Sequence, residues 1–190
     1  MNIVLASGSP RRKELLEMLG VKNMLVIPAR GEEIVKPGAA PEDTVMSLSL
    51  AKAGEVAALR PSDDVIIAAD TIVWLDGKLL GKPKSEETAA KMLRALSGRE
   101  HEVYSGVTVM RGAEALTSYE RTLVRFRRLS DREIEAYIAT GEPMDKAGAY
   151  GAQGVGSLFV EGITGDFFNV MGLPLCALGR MLEKMGVELL

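Results

Sequence analysis

The chain has one cysteine, Cys176, and one histidine, His101, in 190 residues. A lone thiol makes no internal disulfide, and its setting in the apolar stretch from Leu173 to Leu182 reads as core packing rather than a reactive centre. A lone imidazole without a neighbouring His or Cys cannot assemble a tetrahedral structural zinc site. Positive charge is not in excess either. The formal net charge is −3, which speaks against a dedicated nucleic-acid binder, because a polyanion demands a net basic face. No apolar run reaches membrane-spanning length. The apolar start, Met1 to Ala6, is too short for a secretory core and flows into Ser7-Gly8-Ser9-Pro10, so a cytoplasmic protein that engages no membrane is expected. Repeats, low-complexity tracts and linkers rich in Pro, Gly and Ser are missing, so one domain over residues 1–190 is expected.

What is present is an ordinary soluble composition, 47% hydrophobic and 26% charged, in which strand and helix periodicities alternate. Asn2 to Leu5 and Met24 to Ile27 read as strands around a helix from Pro10 to Leu19 that stops at Gly20. A second helix runs from Pro41 to about Leu59. Val65 to Ala69 is an apolar run of the kind buried on both faces of a sheet, and Asp76-Gly77 signals a tight turn between short strands. A third helix spans Ser85 to Leu96. Val103 to Met110 and Thr117 to Leu129 alternate as two long strands, Ser130 to Glu133 forms a capping box for a helix ending at Gly141, and Pro174 to Met185 is the last helix. The expected fold class is α/β, a mixed sheet with flanking helices.

Five segments carry chemistry. In Ser9-Pro10-Arg11-Arg12 a strand passes through a polar turn into a helix: Ser9 suits the cap, Pro10 the first helical position, and the free amides of the first turn join two guanidinium groups to suit an anion. A surface helix with solvated arginines is the plainer reading. Lys52 falls in the apolar stripe of Val45, Leu48, Val56 and Leu59, so its ammonium either snorkels to water or meets a carboxylate or phosphate in a polar cleft. Asp70 ends the run from Val65 to Ala69, at the edge where open α/β sheets place ligands; it could hold a metal, orient a water, or merely close a turn. Lys82, in Leu80-Gly81-Lys82-Pro83, is a second lysine in an extended setting, though no Walker A loop is present. In Lys146 to Gly154, small residues around Gln153 would let a flat group approach an amide suited to a base edge; a flexible loop is the alternative.

Taken together, Ser9-Pro10-Arg11-Arg12-Lys13-Glu14-Leu15-Leu16, Glu32-Glu33, Ala51-Lys52-Ala53, Ala69-Asp70-Thr71-Ile72-Val73, Leu80-Gly81-Lys82-Pro83, Leu96-Ser97-Gly98, Asp145 to Gly154 and Asn169 to Pro174 resemble the Maf family of nucleoside triphosphate pyrophosphatases, nearly end to end and in order. The resemblance implies an elongated two-lobed fold like that of inosine-triphosphate pyrophosphatase, with a cleft between the lobes. It implies hydrolysis of a nucleoside triphosphate to the monophosphate and pyrophosphate, with Mg²⁺ or Mn²⁺ as cofactor, removing surplus or modified nucleotides. Asp70 then resembles the catalytic acid, as general base or metal ligand, with Glu33 as its carboxylate partner. Ser9, Arg12, Lys52 and Lys82 resemble the phosphate-facing set. His101 is read as exposed or sheet-capping, without a catalytic role. A homodimer is compatible with the resemblance, and the alternative function is a nucleotide-binding regulator of septum formation. A pure binder, however, has no use for a carboxylate pair beside a triphosphate.

One branch of the family acts on the methylated guanine nucleotide, with an aromatic residue at position 11, Gln after the catalytic Asp and Glu at position 153. Arg11, Thr71 and Gln153 instead resemble the branch whose substrates are dTTP and UTP. The chemistry agrees: a cationic base favours a stacking ring and a carboxylate, whereas uracil and thymine alternate acceptor, donor and acceptor and can be met by a neutral amide.

Overall fold

The computed structural model describes residues 1–190. Seven strands form one mixed sheet flanked by helices, in the order β2-β1-β3-β5-β6-β7 with β4 paired to β3. In chain order the elements are β1 (Ile3–Leu5), α1 (Pro10–Met18), β2 (Leu25–Val26), α2 (Pro41–Ala57), β3 (Val65–Leu75), β4 (Lys78–Leu80), α3 (Glu86–Leu96), β5 (Glu100–Arg111), β6 (Glu114–Phe126), α4 (Asp131–Ala139), β7 (Val160–Thr164), α5 (Phe167–Met171) and α6 (Leu175–Lys184). Short 3-10 turns at Glu142–Asp145, Ala147–Ala149 and Val155–Phe159 lie between α4 and β7.

The chain divides into two compact units. The first comprises Met1–Asp70, Ser105–Glu120 and Gly172–Leu190, the second Thr71–Tyr104 and Arg121–Met171. In the first, β1 pairs in parallel with β2 and with β3, Leu5 lying opposite Val26 and Ile67. Val4, Ala6, Ala53, Val56, Ile66 and Ala68 pack together, so the small residues of α2 let that helix lie close on the strands. A buried hydroxyl chain, Ser49 Oγ to Thr108 Oγ1 at 2.9 Å and Thr108 to Thr117 at 3.0 Å, satisfies the polar atoms the packing encloses. α6 turns Leu175, Leu178, Met181 and Leu182 inward. This corrects the reading of Cys176, which is exposed: it lies on the outer face of the helix, where Arg180 Nη1 stands 3.0 Å from its sulfur.

The second unit is built around Leu93, Leu96, Val103, Val124, Phe126, Ile134, Tyr137 and Phe159. Each such side chain, fully buried, is worth about 1.5–3 kcal/mol. The capping box forms as the sequence indicates: Ser130 Oγ accepts from Glu133 N and Glu133 Oε2 accepts from Ser130 N, which fixes the start of α4. Ser85 likewise caps α3. The tight turn between β3 and β4 also forms, with positive φ at both Asp76 and Gly77, as a two-residue hairpin turn requires.

Three expectations are corrected by the lengths of the elements. β3 continues through Leu75 instead of stopping at Ala69, so Asp70 is a mid-strand residue. β5 begins at Glu100, which places His101 in the strand, two residues before Val103 on the same inward face; it is buried, with 2% exposure, not exposed or capping. α2 ends at Ala57, and Leu59 lies beyond it, 71% exposed, so the apolar stripe stops at Val56.

Candidate active site

β1 ends at Leu5, opposite Ile67 of β3, and the chain then turns through Ser7, Gly8 and Ser9 into α1. Asp70 lies three residues past that pairing, on the part of β3 that outlasts its parallel neighbour. That is how a mid-strand carboxylate remains next to the end of β1, the position an open parallel sheet reserves for ligands.

At the start of α1, Ser9 has extended backbone angles and Pro10 fills the first helical position. The Ser9 hydroxyl makes no capping bond to the helix's own amides. Arg12 turns back toward the strand end: its Nε donates to the Gly172 carbonyl at 2.8 Å and Nη1 to Ser7 Oγ at 3.1 Å, while Ser7 Oγ also accepts from Ser9 N at 3.3 Å. Burial lowers the Arg12 pKa, Asp70 opposes that, Arg11 adds to it and Glu33 opposes it again. The guanidinium therefore sits in the field of both carboxylates. Arg11 is half-buried one position earlier on the same helix turn.

Lys52 resolves the question its position raised. It neither snorkels nor rests in the apolar stripe. Its Nζ lies 2.5 Å from Asp70 Oδ1 and 2.7 Å from Glu33 Oε1, with the Lys52 side chain 18% exposed, Asp70 10% and Glu33 56%. The low exposure of two partners makes this more than a surface pair, since water screens desolvated charges little.

Glu33 belongs to the loop between β2 and α2, and no sequence pattern indicates what holds that loop. Glu55 does. One turn after Lys52 on α2, its carboxylate accepts Arg30 N at 2.7 Å and Gly31 N at 2.9 Å. These two backbone bonds hold the Glu55 pKa below the usual carboxylate value. One helix thus presents Lys52 to the carboxylates and fastens the backbone two residues before Glu33.

The remaining residues singled out by the sequence lie in the second unit. Thr71 is half-buried on β3 directly after Asp70. Lys82 is exposed, between Gly81 and buried Pro83, and the Gly81 carbonyl accepts from Gly148 N at 3.1 Å, which ties the Lys82 strand end to the Gly148 turn. Gln153 is exposed in the loop between two 3-10 turns. That loop is not slack. Tyr137 and Glu142, which no sequence signal indicated, bind three of its backbone amides.

No cluster of three or more His, Cys, Asp and Glu side chains exists to cage a metal on protein ligands alone. Asp70 and Glu33 nevertheless converge on one cationic atom, Lys52 Nζ, and hard oxygen donors arranged around a shared positive centre fit Mg²⁺ or Mn²⁺. Such ions are commonly held by one or two carboxylates, with water and phosphate oxygens completing the set.

A protein named dTTP/UTP pyrophosphatase from Bacillus cereus is 49% identical over 186 residues, 98% of this chain and 96% of that one. One of the same name from Bacillus anthracis is 48% identical with the same coverage. A solved nucleoside-triphosphatase / dITP/XTP pyrophosphatase from Mycobacterium abscessus aligns over 97% of both chains at 18% identity and a TM-score of 0.45, too loose a likeness to bear on fold or activity. No helix is long and apolar enough to cross a membrane. The profile of the family described as Maf-like protein matches residues 2–185, a span that takes in the start of α1, the Lys52 ion pairs and the Gln153 loop alike, and the chain belongs to the Maf family.

Proposed function

We propose that this protein hydrolyses nucleoside triphosphates, dTTP and UTP foremost, to the monophosphate and pyrophosphate. The observation that carries the reading is the convergence of Asp70 and Glu33 on Lys52 Nζ at 2.5 and 2.7 Å, beside the arginine-bearing start of α1. A binding protein gains nothing from two carboxylates next to a triphosphate, whereas a hydrolase uses them to manage a cation and a water. The names of relatives about half identical over nearly the whole chain point the same way.

In this reading Asp70 and Glu33 would hold a divalent cation, which when bound lowers the charge on the phosphates and supports formation of the nucleophile. Asp70 serves either as its ligand or as the base that takes a proton from the attacking water. Lys52, whose ammonium balances those carboxylates in the free protein, would turn its charge to phosphate oxygens. Arg11, Arg12, the Ser9 hydroxyl and the backbone at the start of α1 bind the phosphates, with Arg12 already oriented by Gly172 and Ser7. Lys82 adds a further phosphate-facing charge, and Thr71 and Gln153 read the base. The neutral amide of Gln153 can match the acceptor and donor edge of uracil or thymine.

The test is release of pyrophosphate from dTTP, UTP, ATP, GTP and methylated guanosine triphosphate, with Mg²⁺, with Mn²⁺ and with a chelator. Metal-dependent turnover with the highest kcat/KM for dTTP and UTP is expected. No pyrophosphate from any nucleotide would overturn the enzymatic reading, and a preference for purines would overturn the base assignment alone.

A further inference from the structure

Gln153 is exposed in a turn whose backbone amides are bound by two side chains of the second unit. Glu142 Oε2 accepts Val155 N at 2.9 Å, and Oε1 accepts Gly156 N at 3.1 Å and the Tyr137 hydroxyl at 2.8 Å. The Tyr137 oxygen in turn accepts Gly151 N at 3.2 Å. Amides on both sides of Gln153 therefore end on one phenol and carboxylate pair. The glycines around Gln153 have a use here besides admitting a flat group. A Cβ at Gly154, where φ is +94°, would stand 2.8 Å from Glu142 Oε2, and one at Gly156 would stand 2.7 Å from the Tyr137 hydroxyl, so the backbone wraps the pair closely because side chains are missing.

We propose that Tyr137 and Glu142 are positioning residues for base selection: they hold the Gly151–Gly156 turn in the conformation that presents the Gln153 amide to the nucleobase. The inference rests on the reading of Gln153 as the base-contacting residue. Neither side chain touches the nucleotide; both act through the backbone. Burial opposes ionisation of Glu142, but the bonds from Val155 N, Gly156 N and Tyr137 outweigh it and keep the carboxylate charged. Charge and symmetry both matter. Replacing Glu142 with Gln puts an NH₂ where either Val155 N or Gly156 N now finds an acceptor, so one of the two amides faces another donor whichever way the amide is turned. Tyr137→Phe removes only the acceptor of Gly151 N and one donor to Glu142, a milder loosening of the same turn.

The experiment compares kcat/KM for dTTP and for GTP in the unmodified protein and in Glu142→Gln, Tyr137→Phe, Gln153→Ala and the Glu142→Gln/Gln153→Ala double variant. Glu142→Gln is expected to lower the preference for dTTP by roughly tenfold, mainly through KM, the size typical of losing one well-placed polar contact. Tyr137→Phe should shift it less, in the same direction, and supplies the reading should Glu142→Gln fail to fold. The double variant should show no further loss of preference beyond Gln153→Ala, because the clamp acts only through that side chain. Unchanged preference in both clamp variants, or continued erosion by Glu142→Gln when Gln153 is already Ala, would overturn the clamp while leaving base reading by Gln153 in place. If Gln153→Ala itself keeps the preference, base reading by Gln153 falls and takes the clamp with it.

Discussion

Lys52 Nζ stands 2.5 Å from Asp70 Oδ1, so the ammonium of α2 occupies the point on which the carboxylate of β3 is aimed. Glu33 reaches the same atom from a loop that Glu55 fastens to the helix. The relationship explains how a lysine tolerates its place beside Leu48 and Val56, and how two carboxylates tolerate each other: each charge is compensated by the others before any substrate arrives.

Replacing Asp70 with Asn keeps the shape and removes the charge on which Lys52 converges. Turnover should fall by at least roughly 10²-fold, the loss typical of a positioned base or metal ligand, while circular dichroism shows an intact fold. Near-normal turnover would remove Asp70 from the chemistry.

Lys52→Met places an apolar side chain of similar length beside an apolar stripe, but it leaves Asp70 and Glu33 without their cation. In the nucleotide-free protein, Mn²⁺ measured by electron paramagnetic resonance should then bind about tenfold more tightly, a gain of about 1.4 kcal/mol, because no ammonium competes for the carboxylates. Turnover should nevertheless fall. Weaker Mn²⁺ binding in this variant would show that Lys52 supports the cation rather than standing in for it.

His101 supplies a pH dependence of stability. Burial against Phe126 and Tyr150, ring centroids 5.0 and 5.3 Å away, lowers its pKa from 6.5 to about 4, and its Nε2 shares a hydrogen bond of 2.7 Å with the Tyr150 hydroxyl. The unfolded chain then binds the proton more tightly than the folded one. Stability contributed by neutral His101 is complete above pH 6.5, falls as pH drops toward 4 and levels off below that, a loss of about 3 kcal/mol over the interval. Urea unfolding at pH 7, 5.5 and 4 should show the unmodified protein losing more stability than His101→Gln, whose amide does not titrate. Parallel losses in the two proteins would refute this assignment.

Local signals wrote much of the fold into the sequence. The Pro10 start of α1, the start of α3 at Ser85, the Ser130 and Glu133 capping box and the Asp76-Gly77 turn each depend on residues within one turn of one another, so their chemistry can be read without knowing what lies across the molecule. Arg11, Arg12, Lys52, Asp70 and Lys82 were also visible singly, as charges set among apolar neighbours or at strand and helix ends, whereas Glu33 and Thr71 stood out only through the family resemblance. β7 was not, because Val160 to Thr164 is an edge strand with a bulge opposite Arg125 and Phe126 and lacks clean alternation.

By itself, then, the sequence determined most of the elements, the α/β class, the family motifs and the identity of Asp70 and Lys52 as residues in need of an explanation. Only the tertiary structure decided their relations. It carried β3 past the end of β1, so that Asp70 faces Lys52 from mid-strand, and it extended β5 back to Glu100, so that His101 is buried. It also turned Cys176 outward and brought Glu55 and Glu142 onto backbone amides far away along the chain. The reason is physical. A backbone amide has no residue identity, and strand length is set by what lies alongside, so neither the partner of a carboxylate nor the end of a strand is encoded in its immediate neighbours.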